Sequence, residues 1–164
     1  NERFGSIGAP AAVELIEDAG PLDAIVAPVG GGGLMSGTCI AASAMSPGIQ
    51  LIGAEPCGAD DAARSLACGE LIPQTSPDTI CDGLLTSLSD LTFDILRTHL
   101  AGITTVSDAE TSDAMQLLWE RAKMMVETSS ATVLAAMLQD NCPIPQGARV
   151  GLILSGGNTS RPVG

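Results

Sequence analysis

Basic residues are scarce in this chain: 7 Lys and Arg stand against 19 Asp and Glu, a formal net charge of −12 over 164 residues. A nucleic-acid backbone would be repelled by most of such a surface, so nucleic acid is not an expected partner. Histidine occurs once, as His99. Zinc sites and Ser-His triads therefore have almost nothing to build on, and His99 reads as a helix-end or surface residue. The five cysteines (Cys39, Cys57, Cys68, Cys81, Cys142) form no C-x-x-C pair. Their odd number leaves at least one unpaired, and reduced, mostly buried thiols in a cytoplasmic protein are expected. No apolar run approaches the roughly 18 residues of a membrane span. The amino end shows no basic region followed by an apolar stretch, so neither an anchor nor a signal peptide is expected. Charged residues make up 16% of the chain, against a usual value of about 25%. With a positive mean hydropathy, much of the surface reads as built to be covered, and the chain as part of something larger.

Glycine is not scarce, and its placement is the most informative feature present. Gly30 to Gly33 follow the apolar run Ala24 to Val29 and precede the helix-compatible stretch Leu34 to Ala42. A strand, a turn without side chains and a helix start leave several backbone N–H groups aimed at one point, with the positive end of a helix dipole behind them. That is an anion cradle, and a phosphate fits it best because glycine allows close approach and positive φ angles. The spacing excludes a Walker loop, since Leu34 and Met35 stand where Lys-Ser/Thr would be needed. The dinucleotide fingerprint also fits badly, with Met35 or Ser36 at its last glycine. Glu55, about twenty residues on, has the place of a ribose-binding acid and keeps a nucleotide site open.

The remaining chain alternates strand-like and helical patterns, within a length that suits one domain. Pro10 is placed as a first helical residue, with Ala12, Leu15 and Ile16 at helical spacing before Gly20-Pro21. A strand at 24–29, a buried helix at 34–45, a strand at 50–54 and a short helix at 60–67 follow. Residues 70–90 read as loop. Residues 91–100 read as helix and 102–106 as strand. Ser107 and Glu110 form a capping box that opens a helix running to about Met125, with Ala114, Leu117, Leu118, Ala122 and Met125 on one side. A helix at 130–138 and a strand at 150–154 complete the order. Short continuous apolar strands between helices predict an α/β fold, a parallel sheet covered on both faces. A second glycine turn, Ser155-Gly156-Gly157-Asn158, closes the last strand. In a parallel sheet it shares the ligand-binding rim with the first.

Five motifs in register then carry a family resemblance: V-G-G-G-G-L at 29–34, G-A-E-P-x-x-A-D-D at 53–61, C-D-G at 81–83, W-E-R-x-K-x-x-V-E at 119–127 and L-S-G-G-N at 154–158. From about Ile7 to Asn158 the chain resembles the carboxyl-terminal half of the serine racemase and serine/threonine dehydratase family. Those are fold-type II enzymes of pyridoxal 5'-phosphate (PLP). The resemblance implies that residues 1–164 form part of a large, PLP-binding domain, in a homodimer that acts on a small hydroxy amino acid such as serine or threonine. It implies that Gly30, Gly31, Gly32, Gly33 and the Leu34 amide hold the PLP phosphate. Ser155 would bond the pyridine nitrogen, Gly83 would pass close to the ring, and Glu127 would lie beside the site. Glu55, the Ala59 carbonyl and Asp61 match the family's divalent-cation site, a hard oxygen set suited to Mg²⁺ or Ca²⁺. Read without the resemblance, Asp60 and Asp61 are first-turn acids favoured by a helix dipole, and Glu127 is a helix-end carboxylate.

The family's Schiff-base lysine has no counterpart. Lys123 is the one lysine. It lacks the Ser-x-Lys context and reads as a stem packed on a helix flank. The chain by itself is therefore expected to contribute no catalytic residue and to be inactive. Thr128 stands where the family commonly has proline, and Ser129-Ser130-Ala131-Thr132 replaces a more glycine-rich version. The alternatives are a non-catalytic phospholigand- or nucleotide-binding domain, or a partner of a separate lysine-bearing chain.

Overall fold

The computed structural model describes residues 5–159. Its elements are α1 (Gly5–Ala19), β1 (Ala24–Pro28), α2 (Gly33–Met45), β2 (Gln50–Pro56), α3 (Asp61–Cys68), α4 (Asp90–His99), β3 (Gly102–Val106), α5 (Asp108–Leu117), α6 (Thr128–Met137) and β4 (Val150–Leu152). The four strands form one sheet in the order β3-β2-β1-β4. Every neighbouring pair is parallel, with Ala24 of β1 level with Gln50 of β2 and Val150 of β4. All carboxyl ends therefore open on one rim.

All five residues of β1 are buried, as a central strand between two helical layers requires. Its side chains alternate between two cores. Ile25, Ala27 and Val29 pack with Met35, Phe93 and Leu96 from α2 and α4, with α1 adding Ala11 and Leu15. Val26 faces the other way and packs with Ala114 of α5 and Val133 and Ala136 of α6. The expected parallel sheet, helix-covered on both faces, is the observed architecture.

Three expectations are corrected. Pro10 lies inside α1, which begins at Gly5. Its ring is exposed, and the missing N–H removes only one bond near the helix start, so the helix tolerates it. The helix opened by Ser107 does not run to Met125. It leaves α-geometry at Leu117, widens into a π turn over Leu118–Ala122 and ends at Lys123 with φ 59. A wider turn rotates the later residues out of phase. Leu118 stays buried, while Ala122 and Met125 face solvent. The thiols are all free, but Cys57 and Cys68 are exposed and only Cys39 and Cys81 are buried. Among the described residues no helix is long and apolar enough to cross a membrane.

Candidate functional site

At the rim, Gly30 to Gly33, Leu34, Gly83, Leu84, Leu154 and Ser155 line one cleft of about 480 Å³, with Ala11, Pro28 and Ile153 behind them. The fold thus gathers residues that are separated by more than a hundred positions in sequence.

The four glycines have different reasons for being glycine. Gly32 has φ 80, and a Cβ there would sit 2.8 Å from Leu88 Cδ2 and Thr92 Cβ. Gly30 and Gly31 back onto the Thr86 hydroxyl, at 3.2 and 3.3 Å from where a Cβ would be. Gly33 is the opposite case: a Cβ there meets nothing within 4 Å. Its open side is cleft. Gly32 caps α2 without any side-chain hydrogen bond, and no acidic residue occupies the first turn. The helix start therefore keeps free N–H donors and an unneutralised dipole end at the cleft, a cradle suited to an anion.

The other two lips are both held by the start of α6. The Gly83 N–H donates to Ser129 Oγ at 3.0 Å. A Cβ on Gly83 would press on that same oxygen, 2.9 Å away, with Glu127 Oε1 at 3.6 Å. Ser155 follows β4, and its side chain is exposed on the rim. Glu127 closes the turn after it: its Oε2 accepts from Asn158 N at 3.1 Å and its own N–H donates to the Gly156 carbonyl at 3.1 Å. Glu127 does not line the cleft itself but stands directly behind Gly83 and Gly156.

Glu55, Ala59 and Asp61 form a second cluster at the end of β2 and the start of α3. Glu55 is fully buried. Its Oε1 accepts from Ala62 N at 3.0 Å and its Oε2 from Ala63 N at 2.8 Å. Burial outweighs those bonds and pushes its carboxyl up to about 8. Asp61 is also fully buried, and burial raises its carboxyl as well. Its Oδ2 accepts from Leu88 N at 3.1 Å, while its Oδ1 has no partner. Ala59 is the buried end of a 3-10 turn (Cys57–Ala59) between them. Among the described residues no three His, Cys, Asp or Glu side chains group closely enough to hold a metal. Two buried carboxylates, one of them with an orphaned oxygen, are nonetheless the kind of hard donors that would suit a cation completed by water.

Asp60, by contrast, points outward to Arg64 Nε at 2.7 Å in a partly exposed pair, which is the helix-start role read for it. The ribose-acid reading of Glu55 does not fit, because Glu55 is fully buried and absent from the cleft lining. Lys123 is exposed on the π turn, with Nζ donating to the Glu120 carbonyl at 2.8 Å, and is absent from the cleft lining. His99 ends α4, where its Nδ1 pairs with Ser43 Oγ at 3.0 Å. Sequence reasoning assigned no role to Ser129 or Ser130, and read Gly156 only as part of the second glycine turn. The serines had registered only as a departure from glycine; paired hydroxyls in a helix's first turn were the available signal.

Comparison with known proteins bears on this geometry. Residues 6–156 match the family described as pyridoxal-phosphate dependent enzyme. Serine racemase of Dictyostelium discoideum is 49% identical over 151 residues, covering 90% of this chain and 47% of that protein. The beta-hydroxyaspartate dehydratase of Paracoccus denitrificans is 48% identical, covering 90% of this chain and 46% of its own length. The crystal structure of the Dictyostelium serine racemase superposes with a TM-score of 0.91 at 45% identity, over 98% of this chain and 52% of that one. The chain spans about half the length of the curated relatives it matches. On the family match over nearly its whole length, the chain belongs to the pyridoxal-phosphate dependent enzymes.

Proposed function

We propose that this chain is the phosphate-gripping part of a PLP-dependent racemase or dehydratase, whose amino-terminal half carries the lysine. The observation that carries the reading is the single cleft in which an uncapped helix start, the open side of Gly33 and the Ser155 hydroxyl meet. The amides of Gly30 to Gly33 and Leu34 hold the cofactor phosphate, Ser155 bonds the pyridine nitrogen, and Gly83 lets the ring lie close. Glu127, behind Gly83 and Gly156, would tune the charge beside the site. Bound PLP supplies an electron sink for a carbanion at Cα of the substrate.

Ser155 limits that sink, because a hydroxyl does not hold the ring nitrogen protonated as a carboxylate would. The substrate is a small β-hydroxy amino acid. Loss of the Cα proton and its return on the other face gives racemisation. Loss of the proton together with the β-hydroxyl gives water and, after hydrolysis, a keto acid and ammonia. Both outcomes share the first step, and this chain's residues serve both. Glu55, the Ala59 carbonyl and Asp61 hold Mg²⁺ or Ca²⁺ away from the reacting atoms. Asp61 bonds the Leu88 amide, so a cation held there would be tied to the loop on which Gly32 leans. The complete enzyme is a cytoplasmic homodimer.

Titration of the chain with PLP, inorganic phosphate, ATP and NAD, followed by thermal shift, tests this. PLP and phosphate are expected to raise the midpoint, with no adduct trapped by borohydride and no turnover. A response to ATP or NAD but not to PLP would instead establish a nucleotide-binding domain. A trapped adduct on Lys123 would overturn the assignment of the nucleophile to the other half.

A further inference from the structure

We propose that Ser130 is the positioning residue for Ser155, a role that rests on the cofactor reading above. Ser155 is followed by Gly156, where a chain is loosest. A Cβ there would lie 2.4 Å from the Glu127 carboxyl carbon, so only a shift of that side chain would admit one. A freely hinged residue thus stands beside the hydroxyl that must be aimed at the ring nitrogen.

Ser130 removes that freedom. Its Oγ accepts from the Gly156 N–H at 2.7 Å and donates to the Gly156 carbonyl at 2.9 Å. Those two groups belong to successive peptides, so one hydroxyl fixes the orientation of both. Ser130 is fully buried, which shields the pair from competing water. The carbonyl has a second donor in the Glu127 N–H at 3.1 Å, whereas Ser130 is the only hydrogen-bond partner shown for the Gly156 N–H among the described residues. Removing the hydroxyl orphans that donor, and the peptide that follows Ser155 is released.

The phosphate cradle is built on β1 and α2 and owes nothing to Ser130. Loss of the Ser130 hydroxyl therefore separates the two ends of the cofactor: the phosphate end stays held while the pyridine end loses its alignment. Ser129, next in line, holds Gly83 on the opposite lip. One helix start keeps both lips in register.

The test compares Ser130→Ala, Ser130→Cys and Ser130→Thr in the full-length holoenzyme. Ser130→Ala is expected to speed exchange of the Gly156 amide by about tenfold or more, the loss of roughly one buried hydrogen bond. It is expected to lower kcat by about tenfold while KM and PLP affinity change less than about threefold, and to shift the visible band of bound PLP. Ser130→Cys fills the site with a larger but only weakly donating group and follows Ala, including where Ser130→Ala fails to fold. Ser130→Thr restores the hydroxyl and returns each readout toward wild type. Unchanged Gly156 exchange, kcat and spectrum in Ser130→Ala or Ser130→Cys overturn the proposal alone. A wild-type enzyme that takes up no PLP overturns the cofactor reading, and with it the role of Ser155, even where the exchange arm shows the clamp intact.

Discussion

Gly32 and Gly33 are adjacent glycines with opposite liabilities, and substituting each separates folding from binding. Gly32→Ala forces a side chain into φ 80 and against Leu88 and Thr92, which is expected to cost about 1–3 kcal/mol. Gly33→Ala meets no atom and opens the helix α2 with a better helix former, so the thermal midpoint holds or rises. Its methyl enters the space an anion would occupy, and PLP and phosphate affinity should fall by about tenfold or more. Thermal unfolding beside phosphate titration checks both. Two variants that lose stability and binding in parallel would mean the cradle is only a tight loop. At this scale the sequence was legible where a residue's duty is local. The glycine run by itself announced a side-chain-free turn opening a helix without a side-chain cap. The division of labour inside it was not legible, because it depends on Thr86 and Leu88 from a loop without periodicity and on Thr92 from the first turn of α4.

Elements with regular periodicity could be read closely: β3 has the predicted bounds and the Ser107 and Glu110 capping box forms as expected. A second box, Ser89 with Thr92, escaped notice because threonine replaces the usual Glu or Gln at its third position. The π turn after α5 was hidden for a different reason. Nothing in Leu118 to Ala122 is a poor helix former, so propensity continued the helix past the point where it widens. What ends it is Lys123, the one non-glycine residue with positive φ among those described. A lysine in that conformation is strained by about 1 kcal/mol, and its Nζ bond to the Glu120 carbonyl is exposed and weak. Lys123→Gly is therefore expected to raise stability by up to about 1 kcal/mol, and Lys123→Val to lower it by more than that. Chemical denaturation measures both. Neither should alter PLP binding in the complete enzyme, and a Lys123→Gly variant that loses the cofactor would contradict a purely structural role for Lys123.

Across the whole molecule, the net charge of −12 and the buried Glu55 and Asp61 act on stability in the same direction. Folded Glu55 holds its proton up to about 8, whereas in the unfolded chain it ionises near the ordinary value of roughly 4.3. The folded state thus binds more protons over that interval, so stability is full below the unfolded value and is lost as pH rises through about 8. Asp61 is raised by the same burial and adds to the trend. Surface repulsion also grows with pH, but salt screens it within about 10 Å at 0.1 M and reaches the interior pair far less. In a chelator and at raised salt, the thermal midpoint is therefore expected to fall between pH 5.5 and 8.5. Mg²⁺ or Ca²⁺ should oppose the fall most strongly at the upper end, because the cation binds the ionised carboxylates. Glu55→Gln, which cannot ionise, should flatten the profile and weaken the response to cation. A midpoint that is independent of pH once salt is raised, or a cation response undiminished in Glu55→Gln, would mean that charge on the surface and not the buried pair governs the pH dependence of this fold.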